Sequence, residues 1–67
     1  MTHTQKIIQL DQFLKLSGLV STGGQAKVLI QGGEVKLNGL IETRRKKKIK
    51  AGDVVELFGK RIIVEFG

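Results

Sequence analysis

The chain has 67 residues, 40% of them hydrophobic, which suits one small globular domain and argues against disorder. It has no cysteine, which excludes a disulfide framework or a cysteine zinc site, and no apolar run of membrane-spanning length. Twelve Lys and Arg against six Asp and Glu give a net charge of +6. Such an excess favours a protein that binds a polyanion over a soluble basic protein that has no such partner.

A short strand and a helix are predicted at the start of the chain. The first ten residues lack the apolar core of a signal peptide, so we expect a cytoplasmic protein with residues 1–4 frayed. Residues 6–9 suit a short edge strand leading into the helix. Asp11 is the expected N-cap, an apolar stripe follows, and Gly18 ends the helix.

The second predicted helix is the best-marked element. Ser21 or Thr22 provides an N-cap, and three apolar residues at i, i+3 and i+4 give it a buried face: Ala26, Leu29 and Ile30. The pair Gly32 and Gly33 predicts the end of the helix, with Gly33 in the left-handed conformation that glycine adopts without a steric penalty.

The second half of the chain predicts antiparallel strands. Residues 35–37 and 40–41 flank Asn38-Gly39, a type I′ hairpin signal. Residues 54–58 and 61–66 flank Gly59-Lys60, which suits a type II′ turn with Phe58 opposite Arg61. That register puts four apolar side chains on one face, those of Val55, Leu57, Ile62 and Val64. The predicted fold class is α+β, with two short packed helices on a small antiparallel sheet.

Residues 44–50 form a basic segment with six cations in seven residues and no acid: Arg44, Arg45, Lys46, Lys47, Lys48 and Lys50. Clustered cations bind neighbouring phosphates and release condensed counterions, and arginine also binds phosphate bidentately. The alternative is a solvated edge strand on which lysines deter pairing between sheets. A deterrent needs only one or two lysines, so the pattern favours phosphate binding.

The order of these signals resembles the RNA-binding domain family named after ribosomal protein S-four, and in particular its small stand-alone members of the YbcJ/YaaA type. The resemblance covers about residues 10–57 within a single domain of residues 1–67. The residues that carry it are Leu10, Asp11, Leu14, Gly18, Leu19, Ser21, Ala26, Lys27, Leu29, Ile30, Gly33, Val35, Leu37, Asn38, Gly39, Gly52, Asp53 and Val54.

The resemblance implies the S-four-like αL fold and an RNA-binding surface on the exposed sides of the two helices and the hairpin start. Carried over by position, the implied RNA-binding residues are Gln9, Lys15, Thr22, Gln25, Lys27, Lys36 and Asn38. Gln9 and Gly23 stand where the family often has arginine. The basic segment is the expected compensation for those two missing phosphate contacts.

We therefore expect a non-enzymatic, monomeric protein that binds structured RNA, such as ribosomal RNA, in ribosome assembly or translation. No carboxylate pair, nucleophile with a base, or phosphate-binding glycine motif is evident, and no cofactor, metal, membrane or small-molecule substrate is expected. The exposed sheet aromatics that base stacking would need are absent, with Phe58 as the one candidate, so we expect recognition to rest on backbone and shape and to favour folded RNA over single strands. Two rivals stay open, a DNA-binding accessory factor and a protein-interaction adaptor for an acidic partner.

Overall fold

The computed structural model describes residues 6–66, so the expected fraying of residues 1–4 lies outside it. The elements in chain order are β1 (Ile7–Gln9), α1 (Leu10–Leu16), α2 (Gly23–Gln31), β2 (Lys36–Leu37), β3 (Leu40–Ile41), β4 (Lys48–Lys50), β5 (Val54–Leu57) and β6 (Lys60–Ile63). Strand β1 pairs antiparallel with β4, and the other four strands form an antiparallel sheet in the order β3-β2-β5-β6. The predicted α+β class is confirmed. The strands, however, form two small sheets rather than one.

The two helices and the four-stranded sheet enclose one apolar core. Leu10 and Leu14 of α1, Ala26 and Ile30 of α2, and Val55 of β5 are completely buried. The helical spacing that predicted the face of α2 is confirmed, although Leu29 is only partly buried. None of the helices in residues 6–66 has the length and apolar character needed to cross a membrane.

Both ends of α2 follow the expected chemistry. Thr22 is the N-cap, and its Oγ1 accepts a hydrogen bond of 3.1 Å from the backbone N–H of Gln25. At the other end Gly33 has φ +79°, as predicted. The N–H of Gly33 donates to the Ile30 carbonyl and that of Glu34 donates to the Leu29 carbonyl, the two bonds of a Schellman motif.

The first hairpin turn is confirmed, whereas the second differs from its prediction. Asn38 and Gly39 both have positive φ, as a type I′ turn requires. In the second hairpin Phe58 and Gly59 have positive φ, so they are the central residues, and Leu57 lies opposite Lys60. The predicted pairing of Phe58 with Arg61 is therefore wrong.

The error in the second hairpin leaves the face assignment intact. Moving a two-residue turn back by one position shifts each cross-strand partner by two residues, and side chains alternate with a period of two. Val55 and Ile62 thus face the same side in either register. All four apolar residues assigned to the inner face are buried or partly buried in the structure: Val55, Leu57, Ile62 and Val64.

The start of α1 also differs from its prediction. Gln9, not Asp11, occupies the N-cap position, and its side chain makes no capping hydrogen bond. Asp11 lies inside the first turn and is buried. The N-cap prediction for Asp11 is wrong because distant backbone carbonyls take over the capping role.

Gly33 provides a test of the Schellman motif. We expect Gly33→Val to destabilise the protein by roughly 1 to 3 kcal/mol, and by more than Gly33→Asn, because asparagine tolerates the left-handed conformation. Crowding does not explain the difference, because an added Cβ would meet only Ile41 Cγ2, at 3.7 Å. The measurement is chemical denaturation.

Gly24→Ala is the matched control. It lies in the first turn of α2, where the backbone is helical and an added Cβ meets only Thr22 Oγ1, at 4.0 Å. It should leave stability unchanged or raise it by up to about 1 kcal/mol. Equal losses of stability from Gly33→Val and Gly33→Asn would contradict the assignment.

Candidate nucleic-acid interface

The basic segment, residues 44–50, is bound to the N-terminus of α1. The backbone N–H of Leu10 donates to the Lys47 carbonyl at 2.9 Å, and that of Asp11 donates to the Arg45 carbonyl at 3.0 Å. The first amides of a helix have no partner within the helix, so these carbonyls replace the missing side-chain cap. The cations of the segment are therefore displayed from a fixed backbone.

Strand β4 continues the attachment. Lys48, Ile49 and Lys50 lie opposite Gln9, Ile8 and Ile7 of β1. Ile49 is 1% exposed and joins the core, whereas the lysines on either side of it are exposed. In the sequence this segment is a run of positive charges. In the structure its backbone pairs with β1 and its Ile49 side chain is buried in the core.

Both arginines of the segment are held by carboxylates. Arg44 donates from Nε to Glu42 Oε2 at 2.9 Å and from Nη2 to Glu42 Oε1 at 3.2 Å. Those side-chain hydrogen bonds hold the pKa of Glu42 below its ordinary value, although burial opposes them. Arg45 contacts buried Asp11 Oδ2 through Nε and Nη2, both at 3.3 Å. Each guanidinium keeps further N–H donors for another ligand.

The lysines differ from the arginines. Lys46, Lys47 and Lys48 make no ion pair with any carboxylate of residues 6–66. Lys46 and Lys48 are exposed and Lys47 is half-buried. Lys50 contacts Asp53 Oδ1 through Nζ at 3.3 Å. The three consecutive lysines thus carry the positive charge of the basic segment that no ion pair offsets, although the charge of Lys47 also helps to lower the pKa of Glu42.

The predicted helix residues lie on exposed surface. Lys15 of α1 and Lys27 of α2 are exposed. Thr22 and Gln25 are exposed too, but their side-chain oxygens are already engaged, since Thr22 Oγ1 caps α2 and Gln25 Oε1 accepts a 2.9 Å hydrogen bond from the Ser21 N–H before the helix. A Cβ added to Gly23 would enter open space, so nothing in residues 6–66 obstructs an approach to the start of α2.

The predicted hairpin residues are divided between surface and structure. Lys36 is exposed and lies opposite Ile41 and Glu56. The Asn38 side chain accepts from the Val54 N–H at 2.9 Å and donates to Asp53 Oδ1 at 3.2 Å, which leaves one of its N–H donors for a ligand. Gln9 is half-buried at the junction of β1 and α1.

Asp53 connects the hairpin turn to the basic segment. Besides Asn38, its carboxylate accepts hydrogen bonds from the backbone N–H of Lys50 at 2.9 Å and from Lys50 Nζ at 3.3 Å. The Lys50 N–H is the strongest cause of a pKa of Asp53 below its ordinary value, and the Asn38 and Lys50 side chains lower it further. A buried carboxylate thus links β2, β4 and β5.

Sequence reasoning missed these carboxylate contacts. Asp11 and Arg45 are 34 positions apart, so no local pattern indicates their pairing. The Lys50–Asp53 and Glu42–Arg44 pairs are two or three positions apart, so their opposite charges could have predicted these two contacts. Among residues 6–66 there is no group of three His, Cys, Asp or Glu side chains that could hold a metal ion.

Comparison with known proteins agrees with this geometry. The model of the S4 domain family matches residues 1–65. The putative RNA-binding protein YbcJ of Escherichia coli is 42% identical over 57 residues, which cover 85% of this chain and 81% of YbcJ. The probable ribosome maturation protein RlbA of Bacillus subtilis is 43% identical over 54 residues, which cover 81% and 76% of the two chains.

Two solved structures share the fold. The solution structure of E. coli YbcJ, described as revealing an αL motif involved in RNA binding, has a TM-score of 0.64 at 36% identity. It is matched over 94% of this chain and 78% of YbcJ. Ribosomal protein S4e of Thermoplasma acidophilum has a TM-score of 0.72 at 22% identity over 96% of this chain, which spans only 34% of S4e.

Asp53 generates a pH prediction. Its folded-state pKa is lowered, so its contribution to stability is complete above the unfolded pKa of about 3.9 and is lost as the pH falls through the folded value. We expect Asp53→Asn to be less stable than the parent by about 1 to 3 kcal/mol at neutral pH. Urea denaturation should show this gap narrowing as the pH is lowered to about 2.5. A gap independent of pH would contradict the assignment.

Proposed function

The chain belongs to the S4 domain family, and on that premise we propose that it is a non-enzymatic protein that binds structured RNA through the two helices, the hairpin start and the basic segment. The observation that carries the proposal is the attachment of residues 44–50 to α1. Carbonyls of Arg45 and Lys47 cap the helix, while Lys46, Lys47 and Lys48 have no carboxylate partner in residues 6–66. Because the backbone of the segment is already held in place, phosphate binding orders only the lysine side chains and not the chain that carries them.

The proposed surface has two cationic parts separated by α1. The basic segment lies at the N-terminus of α1, whereas the start of α2, with Lys27 beyond it, follows the C-terminus of α1. Helix α1 has seven residues, roughly 10 Å of helix. Two cationic parts at different ends of α1 suit several phosphates of a folded RNA better than one isolated anion. Lys15, on the exposed side of α1, adds a cation between the two parts.

Phosphate contacts are also proposed for Arg44, Arg45 and Lys50, with a smaller gain in affinity than for the three lysines. Glu42, Asp11 and Asp53 already offset their charges. The remaining proposed contacts are the polar groups of the helices and the hairpin, namely Gln9, Thr22, Gln25, Lys36 and Asn38. These groups position the RNA rather than read its sequence.

The proposed biological setting is ribosome assembly or translation, with ribosomal RNA as the structured partner. RlbA, a probable ribosome maturation protein, is similar to most of this chain, and the ribosomal protein S4e contains the same fold. We further propose that the protein acts as a monomer in the cytoplasm.

Competition separates this proposal from a DNA-binding or adaptor function. A labelled RNA duplex bound to the protein is challenged with unlabelled RNA, DNA of the same sequence and polyglutamate at fixed salt. The proposal predicts that RNA competes best, because A-form RNA displays 2′-hydroxyls and a shape that DNA lacks. Equal competition by DNA would favour a DNA-binding accessory factor, and stronger competition by polyglutamate would favour an acidic protein partner.

The contribution of the basic segment is tested by replacing Lys46, Lys47 and Lys48 with alanine. The slope of log affinity against log salt should flatten by roughly 0.7 to 0.9 for each phosphate that the variant no longer neutralises. Lys46 and Lys48 are exposed, and such substitutions usually change stability by no more than about 0.5 kcal/mol each, so a larger loss in the thermal melt is assigned to half-buried Lys47. An unchanged salt slope would mean that the segment is only a solvated edge.

Single substitutions provide the matched control. Lys46→Ala and Lys6→Ala remove the same charge, but Lys6 is not a proposed contact and precedes Ile7, the partner of Lys50, at the end of β4 away from Lys46. Only Lys46→Ala should flatten the salt slope, by roughly 0.7 to 0.9 for its one phosphate. Equal effects would show that net charge, rather than its position on α1, governs binding.

A further inference from the structure

Phe58 occupies a backbone position that disfavours it. Its φ is +55° and that of the following Gly59 is +72°, the two central positions of a type I′ turn. Asparagine, aspartate and glycine fill such positions with little strain, whereas a bulky side chain there is unusual. The other hairpin of this chain shows the ordinary solution, with Asn38 at φ +52°. A strained residue at an exposed turn points to a use for its side chain.

The side chain of Phe58 has no structural role that accounts for the strain. It is 61% exposed, whereas Phe13 is buried and Phe66 is half-buried against the core. Residues 54–57 and 60–63 form their ladder through the backbone and pack through Val55, Leu57 and Ile62. An asparagine at position 58 would close the same turn without exposing an aromatic ring.

The surroundings of Phe58 combine an aromatic surface with mixed charge. With Gly59, Leu57, Lys36, Glu34 and Glu56 it lines a shallow cavity of about 180 Å³. Lys60 lies opposite Leu57 at the end of the hairpin, and Arg61 pairs with Glu56 at 3.7 Å. Lys36 is also one of the hairpin residues of the proposed RNA surface, so the cavity borders that surface.

We propose that Phe58 is a stacking site for an unpaired nucleobase of the bound RNA, an inference that rests on the proposed function. The ring is 61% exposed, and two cations are available for the flanking phosphates, Lys36 in the lining of the same cavity and Lys60 at the end of the same hairpin. The protein thereby distinguishes an RNA helix that carries a bulged or looped-out nucleotide from a continuous helix.

The charges of the cavity favour a base over a phosphate. Glu34 repels phosphate oxygens, whereas the charge of Glu56 is already offset by Arg61, and both carboxylates can accept hydrogen bonds from the N–H groups on a base edge. A base also gains stacking energy on an aromatic ring whatever its sequence. Acidic peptides would meet the same two carboxylates, so the cavity suits them less well than it suits a nucleobase.

The experiment compares two RNA duplexes, one continuous and one with a single-nucleotide bulge, and three proteins, the parent, Phe58→Asn and Phe58→Trp. Asparagine relieves the backbone strain, so Phe58→Asn should melt at or above the temperature of the parent. It should lose roughly 5- to 150-fold in affinity for the bulged duplex and little for the continuous one. Its salt slope should equal that of the parent, because no phosphate contact is removed.

Phe58→Trp gives a direct signal, because the chain contains no other tryptophan or tyrosine. Its fluorescence should be quenched by the bulged duplex but not by the continuous duplex. The matched control is Ile63→Thr, which removes another exposed apolar side chain, 55% exposed on β6 and not among the proposed RNA contacts. That substitution should leave the affinity for both duplexes unchanged.

The outcomes separate this inference from the proposed function. Failure of the parent to bind either duplex would contradict both. Binding by the parent with equal losses of affinity from Phe58→Asn on the two duplexes, or with no loss at all, would overturn the stacking site alone. Tryptophan emission that is unaffected by the bulged duplex would overturn it as well.

Discussion

The structure depends on how the N-terminus of α1 is closed. The N-cap residue Gln9 makes no side-chain capping hydrogen bond, so the first two amides of the helix, those of Leu10 and Asp11, need acceptors from elsewhere. The carbonyls of Lys47 and Arg45 accept from Leu10 and Asp11, and the Asp11 carboxylate returns a contact to the Arg45 guanidinium. This junction joins residues that are 34 positions apart in the sequence. Hydrogen bonds within a helix connect only near neighbours, so the junction supplies a contact between distant parts of the chain that the helices do not.

The same junction explains how the chain can hold so many like charges together. Six cations in seven residues repel one another, which would favour an extended, solvated segment. Here backbone hydrogen bonds and buried Ile49 hold the segment in place, and Glu42, Asp11 and Asp53 offset three of its charges. The charge that remains is concentrated on Lys46, Lys47 and Lys48. The fold thus converts a stretch of like charges into a localised cationic surface.

Much of the fold could be predicted because its signals are local. Glycine at position 33, the Asn38-Gly39 turn and the apolar spacing of α2 each specify backbone geometry within a few residues. Prediction fails where the local structure depends on a residue that is distant in sequence or on a backbone conformation that the residue type disfavours. Aspartate is a common N-cap residue, and nothing local in the sequence shows that the Asp11 carboxylate instead contacts Arg45, 34 positions away. The second turn is misplaced because a phenylalanine at positive φ contradicts the residue preferences on which turn prediction relies. The candidate site could be predicted as a set of exposed cations. The sequence does not show which of these cations lack a carboxylate partner, because that depends on the ion pairs that the fold creates.

The central claim, that the attached basic segment forms part of the RNA-binding surface, is tested most directly by nuclear magnetic resonance. Amide spectra of the isotope-labelled protein are recorded while a structured RNA is added at fixed salt. We predict that the largest shift changes fall on residues 44–48 and on residues 22–27, with smaller changes in the buried strand β5. Changes that are absent from residues 44–48 while RNA is bound would contradict the claim.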